Sequence, residues 1–179
     1  LLGLDFATAS AVAAEAAQGD VCQAANDNSD GQVVVSGSKA AVERALGIAK
    51  AKGAKRAILL AVSAPFHCAL MKPAADAMAE ALENVTMNMP VVPVVANVLA
   101  GPLSDPDAIR ESLVKQVTGT VRWRECVGYM AAHGVTRFCE LGAGKVLTGL
   151  LKKNAPDAAG LAIATPDDIA AASVQLKQG

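Results

Sequence analysis

A chain of 179 residues with 16 basic and 17 acidic side chains, net charge −1 and a pI near 6.1 offers no electrostatic case for nucleic acid or an anionic membrane as partner. At 53% hydrophobic and 18% charged it is long enough to bury one sizeable core or two small ones, so a soluble globular body is expected. The four cysteines, Cys22, Cys68, Cys126 and Cys139, lack C-x-x-C spacing, which argues against a zinc site or a disulfide framework and fits a reducing cytoplasm. No apolar run approaches the roughly 18 residues of a spanning helix, and no signal peptide opens the chain.

Leu1-Leu2-Gly3-Leu4 has no initiator Met and reads as the end of an apolar strand, as in an internal fragment, a proteolytic product or an incomplete chain. The alanine-rich stretch 5–17, with Asp5 as cap and Gly19 as stop, is expected to be helical. Residues 21–25 and 32–36 are expected to form a hairpin around the polar turn 26–31. Ser38 caps a helix over 39–52 that carries Val42, Ala45, Leu46 and Ala49 on one face, and Gly53 ends it. A further strand is expected at 56–62. Counting the strand that ends near Leu2, the order strand, helix, strand, strand, helix, strand is the split βαβ of a ferredoxin-like unit.

Beyond residue 63 the pattern becomes that of a layered α/β domain. Helices are expected at 74–83, 105–117, 123–132 and 145–153, with a last one beginning at Pro166. Strands are expected at 91–98, where Pro90 and Pro93 interrupt, and at 137–141 and 161–164. No internal repeat or low-complexity linker occurs, so the expected boundary separates two subdomains, 1–62 and 63–179, of one body.

The stretch with most chemistry is Ser63-Ala64-Pro65-Phe66-His67-Cys68-Ala69-Leu70-Met71, between an apolar run and a helical pattern. Pro65 disfavours a helix starting at once, so His67 is expected on a strand-to-helix turn, where a side chain is held by packed elements yet points into a cleft. An imidazole that titrates near neutrality suits proton transfer to and from an acyl-transfer nucleophile, although an isolated histidine is more often structural. Cys68, adjacent to His67, is read as a small buried hydrophobe rather than a nucleophile. Asn97 ends a strand, where α/β sheets present functional groups and where asparagine also forms turns. Gly142-Ala143-Gly144-Lys145 has the look of a phosphate loop but lacks the full G-x-x-x-x-G-K-[ST] spacing. His133, before Gly134, is read as a helix C-terminal cap.

The string APFHCALMKPAAD resembles the histidine segment of the malonyl-CoA:acyl carrier protein transacylases. GQVVVSG at 31–37, VVPVVANV at 91–98 and ELGAGKVLTGL at 140–150 extend the resemblance, in the family's order, over most of the chain. The family's catalytic serine lies in a GHSxG elbow, and no G-x-S-x-G occurs in these residues.

The resemblance implies an α/β-hydrolase-like acyltransferase domain with a ferredoxin-like small subdomain. Residues 1–62 correspond to most of that subdomain, its first strand truncated, and 63–179 to the C-terminal part of the larger domain. It implies that His67 is the general base and that the backbone carbonyl of Gln116 orients it, replacing the acid of a serine triad. Phe66 then favours malonyl over methylmalonyl by filling the space of an α-methyl group.

Val62, Asn97 and Val146 join Phe66 as substrate-contacting positions. Asn26, Asn28 and Gln32 are candidates for the pantetheine amides, with turn chemistry an equal alternative. Arg56, with Lys55 and Lys72, is a candidate for CoA phosphates or an acidic carrier protein, against the commoner role of solvated cations. The implied partners are malonyl-CoA and acyl carrier protein. No metal or organic cofactor is implied, the intact enzyme is expected to be a cytoplasmic monomer, and these residues alone are expected to be inactive. A non-catalytic carrier-protein-docking piece and a serine hydrolase of the same broad fold remain as alternatives.

Overall fold

A computed structural model describes residues 1–177. Helix α1, Phe6–Ala17, starts where the Asp5 carboxylate accepts from the Thr8 amide at 2.7 Å. Strand β1, Cys22–Ser29, turns back at Asp30 and Gly31 into β2, Gln32–Gly37. Gly31 takes the left-handed φ of 70° that this turn needs and that a Cβ would disfavour. Ser38 then caps helix α2, Lys39–Ala51.

The two helices meet each other and the hairpin through Ala9, Val12, Ala13, Ala16, Val33, Ala41, Ala45 and Ala49, all buried. Alanine on both helices lets their backbones approach closely, which compensates for the small area each side chain buries. Leu2 bridges Gln32 on one side and Arg56 on the other, so the strand order runs Arg56, Leu2, β2, β1.

Three local expectations are corrected. Residues 26–29 are strand rather than turn. Ala25, Asp27 and Ser29 are buried in alternation, and the free edge of β1 pairs with Val121, whose amide donates to the Ala25 carbonyl while its carbonyl accepts from the Asp27 amide, both at 2.8 Å. The turn-forming side chains Asn26 and Asn28 thus sit on a strand whose bulges absorb the irregularity.

The strand expected at 56–62 is absent beyond Arg56. A strand exists only beside a hydrogen-bonded neighbour, and Ile58, Leu59, Leu60 and Val62 find none, remaining 45–63% exposed. The strand expected at 91–98 contracts to β3, Val94–Ala96, and pairs with an unanticipated β4, Gly101–Leu103. Pro90 and Pro93 have no amide to donate, which limits pairing on the N-terminal side.

A 3-10 turn at Ala69–Met71 leads into α3, Lys72–Glu83. Helix α4, Pro106–Thr118, is capped by Asp105, and its Arg110 guanidinium donates to the carbonyls of Leu82 and Val85 at the end of α3. Helix α5, Trp123–Ala132, contains the division between two compact units, which among the described residues are 1–126 and 127–177.

In the second unit, β5, Arg137–Leu141, runs parallel to β6, Ala159–Ile163, and α6, Val146–Asn154, is the crossover that a parallel pair requires. Helix α7, Pro166–Lys177, follows a capping box in which Asp168 accepts from the Thr165 amide and donates its own amide to the Thr165 hydroxyl. Among the described residues no helix is long and apolar enough to cross a membrane.

Candidate active site

The site is built on the C-terminal end of α4. A helix leaves the carbonyls of its last turn without an i+4 partner, and beyond Lys115, whose carbonyl the Gly119 amide takes, those of 116–118 are in this position. Gly119 turns its amide back to the Lys115 carbonyl at 2.9 Å. A Cβ on Gly119 would meet that carbonyl oxygen and Val98 Cγ2, each at 2.8 Å, so only glycine lets the chain leave the helix here. The carbonyl of Gln116 lies 3.0 Å from His67 Nδ1. A carbonyl oxygen can only accept, so the bond requires the proton on Nδ1 and leaves the Nε2 lone pair unprotonated in the neutral ring. No hydrogen bond among the described residues engages Nε2.

His67 itself is held in an unusual backbone state, with φ at 58°. The left-handed region costs an L-residue roughly 1–2 kcal/mol, and histidine enters it more readily than most. Neighbouring contacts sustain it. The thiol of fully buried Cys68 donates to the Pro65 carbonyl at 3.1 Å, the Met71 amide returns to the Cys68 carbonyl at 3.0 Å, and Gln23 Oε1 accepts from the Ala69 amide at 2.7 Å. Cys68 is therefore part of the turn's packing. A shallow depression of about 320 Å³ opens here, lined by Gln23, Ala69, Lys72 and Thr118.

Strand β1 also grips the chain that follows α4. Thr120 Oγ1 donates to the Ala24 carbonyl at 2.8 Å, and Arg124 makes a forked ion pair to buried Asp27, at 2.7–3.0 Å. The Asp27 carboxylate raises the Arg124 pKa above its already high ordinary value. Neither Gln23 nor this pair stands out in the sequence. Their partners are 46 and 97 residues away, and no local pattern announces a contact at that range.

The other expected site residues are distributed unevenly. Phe66, next to His67, is 47% exposed, and Val62 is 63% exposed. Asn97 spends its Oδ1 on the Arg122 amide at 2.8 Å, at the entry to α5. Asn26 is bridged through its backbone to Val121, while Asn28 and Gln32 are half-buried on the hairpin. Arg56 pairs its backbone with Leu2 and is exposed.

Val146 belongs to the second unit, where it begins α6 and is 70% exposed. There Glu140 caps the helix that follows the Gly142 to Lys145 loop. Its carboxylate accepts from the Leu147 amide at 3.0 Å, the Thr148 amide at 2.7 Å and the Thr148 hydroxyl at 2.6 Å, so the α6 N-terminus already holds its anion. These bonds, Thr148's hydroxyl first, hold the Glu140 pKa below its ordinary value. His133 Nδ1 lies 2.8 Å from the Tyr129 carbonyl and its ring stacks on Tyr129 at the end of α5.

No protein-family model matches the chain. It is 50% identical over 172 residues to the malonyl CoA-acyl carrier protein transacylase of Escherichia coli, covering 96% of this chain and 56% of that protein. It superimposes on the crystal structure of an acyl-carrier-protein S-malonyltransferase from Bartonella henselae with a TM-score of 0.92, at 49% identity over 99% of this chain and 56% of that one. The chain belongs to the malonyl-CoA:acyl carrier protein transacylase family. Its fold is the α/β acyltransferase fold of those S-malonyltransferases over the portion it shares.

A further transacylase structure, solved in complex with a type II PKS acyl-carrier protein, matches with a TM-score of 0.90 at 44% identity, covering 97% of this chain and 57% of that one. The chain thus spans little more than half the length of the transacylases it matches.

Proposed function

We propose that the protein to which these residues belong transfers malonyl from malonyl-CoA to the phosphopantetheine thiol of acyl carrier protein, and that His67 is its general base. The observation that carries this reading is the bond from His67 Nδ1 to the Gln116 carbonyl, which leaves Nε2 free as a proton acceptor. A serine supplied by the remainder of the protein attacks the malonyl thioester carbonyl, and its proton passes to Nε2. The C–S bond breaks, and Nε2–H protonates the departing CoA thiolate. In the second half the carrier thiol gives its proton to Nε2 and attacks the acyl-serine, and the serine recovers the proton as the malonyl leaves. The Gln116 carbonyl keeps the same tautomer in service throughout and stabilises the imidazolium by accepting from Nδ1–H.

In this proposal 1–62 serve as the small subdomain and 63–179 as the C-terminal part of the acyltransferase domain, with Phe66, Val62, Asn97 and Val146 toward the acyl group and Asn26, Asn28, Gln32 and Arg56 toward the pantetheine and CoA. Phe66 favours malonyl, no cofactor takes part, and the intact protein works as a cytoplasmic monomer without nucleic acid or membrane. The names of the relatives favour transacylase over a non-catalytic docking piece or a hydrolase. The test is to expose the full-length protein to malonyl-CoA and read its intact mass. A covalent malonyl adduct that acyl carrier protein then discharges is expected; an adduct lost to water alone means a hydrolase, and no adduct overturns the proposal.

A further inference from the structure

Among the described residues Gln23 makes no hydrogen bond to the His67 ring or the Gln116 carbonyl, yet it lies where both are referred to one strand. Its Oε1 accepts the Ala69 amide at 2.7 Å, two residues past His67. The next positions of β1 hold the chain just past Gln116: the Ala24 carbonyl takes the Thr120 hydroxyl and the Ala25 carbonyl takes the Val121 amide, both at 2.8 Å. The donor and the acceptor of the His67–Gln116 bond are thus each tethered within a few residues, and consecutive residues of β1 hold both tethers. The two tethers differ in kind. The 120–121 side is held through the β1 backbone, which any residue supplies, whereas the Ala69 side is held by one side chain.

The His67 turn also needs holding. A φ of 58° at a non-glycine residue persists only where its surroundings over-determine it. The bonds from the Cys68 thiol and the Met71 amide are internal to the turn and travel with it. The Ala69–Gln23 bond ties the turn to a different element.

We infer that Gln23 is a positioning residue for His67: its side-chain carbonyl, by fixing the Ala69 amide to β1, sets the distance from Nδ1 to the Gln116 carbonyl and so the tautomer of the ring. The inference rests on the reading of His67 as general base only for its effect on turnover; the effect on the tautomer stands independently. A relaxed turn lengthens the Nδ1 bond, and the proton redistributes toward Nε2, the nitrogen that predominantly carries it in a free neutral histidine side chain.

The test compares the wild type, Gln23→Met, which keeps the side-chain length and loses the acceptor, and Gln23→Glu, which restores an acceptor. Long-range 1H–15N spectra of the imidazoles in the full-length protein report the tautomer, and His133→Gln assigns the two histidines of this segment. Circular dichroism checks that each variant is folded. The expected result is an Nδ1–H tautomer at His67 in the wild type and in Gln23→Glu, and a mixture in Gln23→Met with kcat for malonyl transfer down about tenfold and KM for malonyl-CoA unchanged. An unchanged His67 spectrum in folded Gln23→Met overturns the inference, whatever the activity. A changed spectrum with unaltered turnover supports the positioning and removes His67 from the catalytic reading instead.

Discussion

Two helix ends in this protein recruit a side chain from elsewhere in the chain, with opposite consequences. At the C-terminus of α4 the Gln116 carbonyl meets His67 Nδ1; at the N-terminus of α6 the amides of Leu147 and Thr148 donate to Glu140. Both satisfy backbone groups that a helix cannot satisfy alone. Glu140, however, commits both carboxylate oxygens to the cap, whereas His67 commits one ring nitrogen and keeps the other. The Glu140 arrangement completes a cap, and the His67 arrangement leaves one ring nitrogen with its lone pair unengaged. A motif at a helix end is chemically informative through the atoms it leaves unpaired.

The comparison breaks most sharply at His67. On the proposed function, His67→Ala in the full-length protein is expected to lower malonyl transfer about 10³-fold or more while leaving circular dichroism unchanged. Near-normal turnover would remove the functional half of the comparison.

Arg124→Ala strands the buried Asp27 carboxylate on the strand that references the α4 end, and is expected to cost about 3 kcal/mol in urea unfolding. Asp27→Ala added to it should recover part of that loss, because the unpaired buried charge is then gone. Additive costs would show the pair is uncoupled. Gly119→Ala forces a Cβ against the Lys115 carbonyl and Val98, and about 1–3 kcal/mol of destabilisation is expected. If the end of α4 positions Gln116 as the geometry indicates, turnover falls as well; a variant that loses stability but keeps full kcat separates the two.

Glu140→Gln is the smallest change and tests the other helix end. It should lower the melting temperature at pH 7 with no effect on malonyl transfer. The folded pKa of Glu140 lies below its ordinary 4.5, so its contribution is complete above that value and is lost as pH falls through the lower, folded one. Between pH 7 and pH 3 the wild type should therefore lose more melting temperature than Glu140→Gln. Parallel losses in the two proteins would show that Glu140's charge does not stabilise α6.

Much of the local structure was legible because its causes are local. Asp5, Ser38 and Asp105 each sit where a helix needs an acceptor for its first amides, and α1, α2 and α4 begin there. The strings around His67 and Gly142 carry the family resemblance, and the relatives place the chain in that family. Strand pairing was less legible. The residues 57–62 have strand composition yet no hydrogen-bonded neighbour, while Asn26 to Ser29 have turn composition and lie in a strand because Val121 offers the partner.

What the sequence by itself determined is therefore the helices, with the caps of α1 and α2, and the family resemblance that the relatives bear out. Only the tertiary structure decided which nitrogen of His67 is left free, that Glu140 caps the α6 N-terminus, and that Gln23 ties the histidine turn to β1. The physical reason is range. A cap is settled within one turn of helix, but a hydrogen bond across 46 residues, as between Gln23 and Ala69, exists only once packing has fixed both ends; the 49-residue bond from His67 to Gln116 is expected only through the family resemblance.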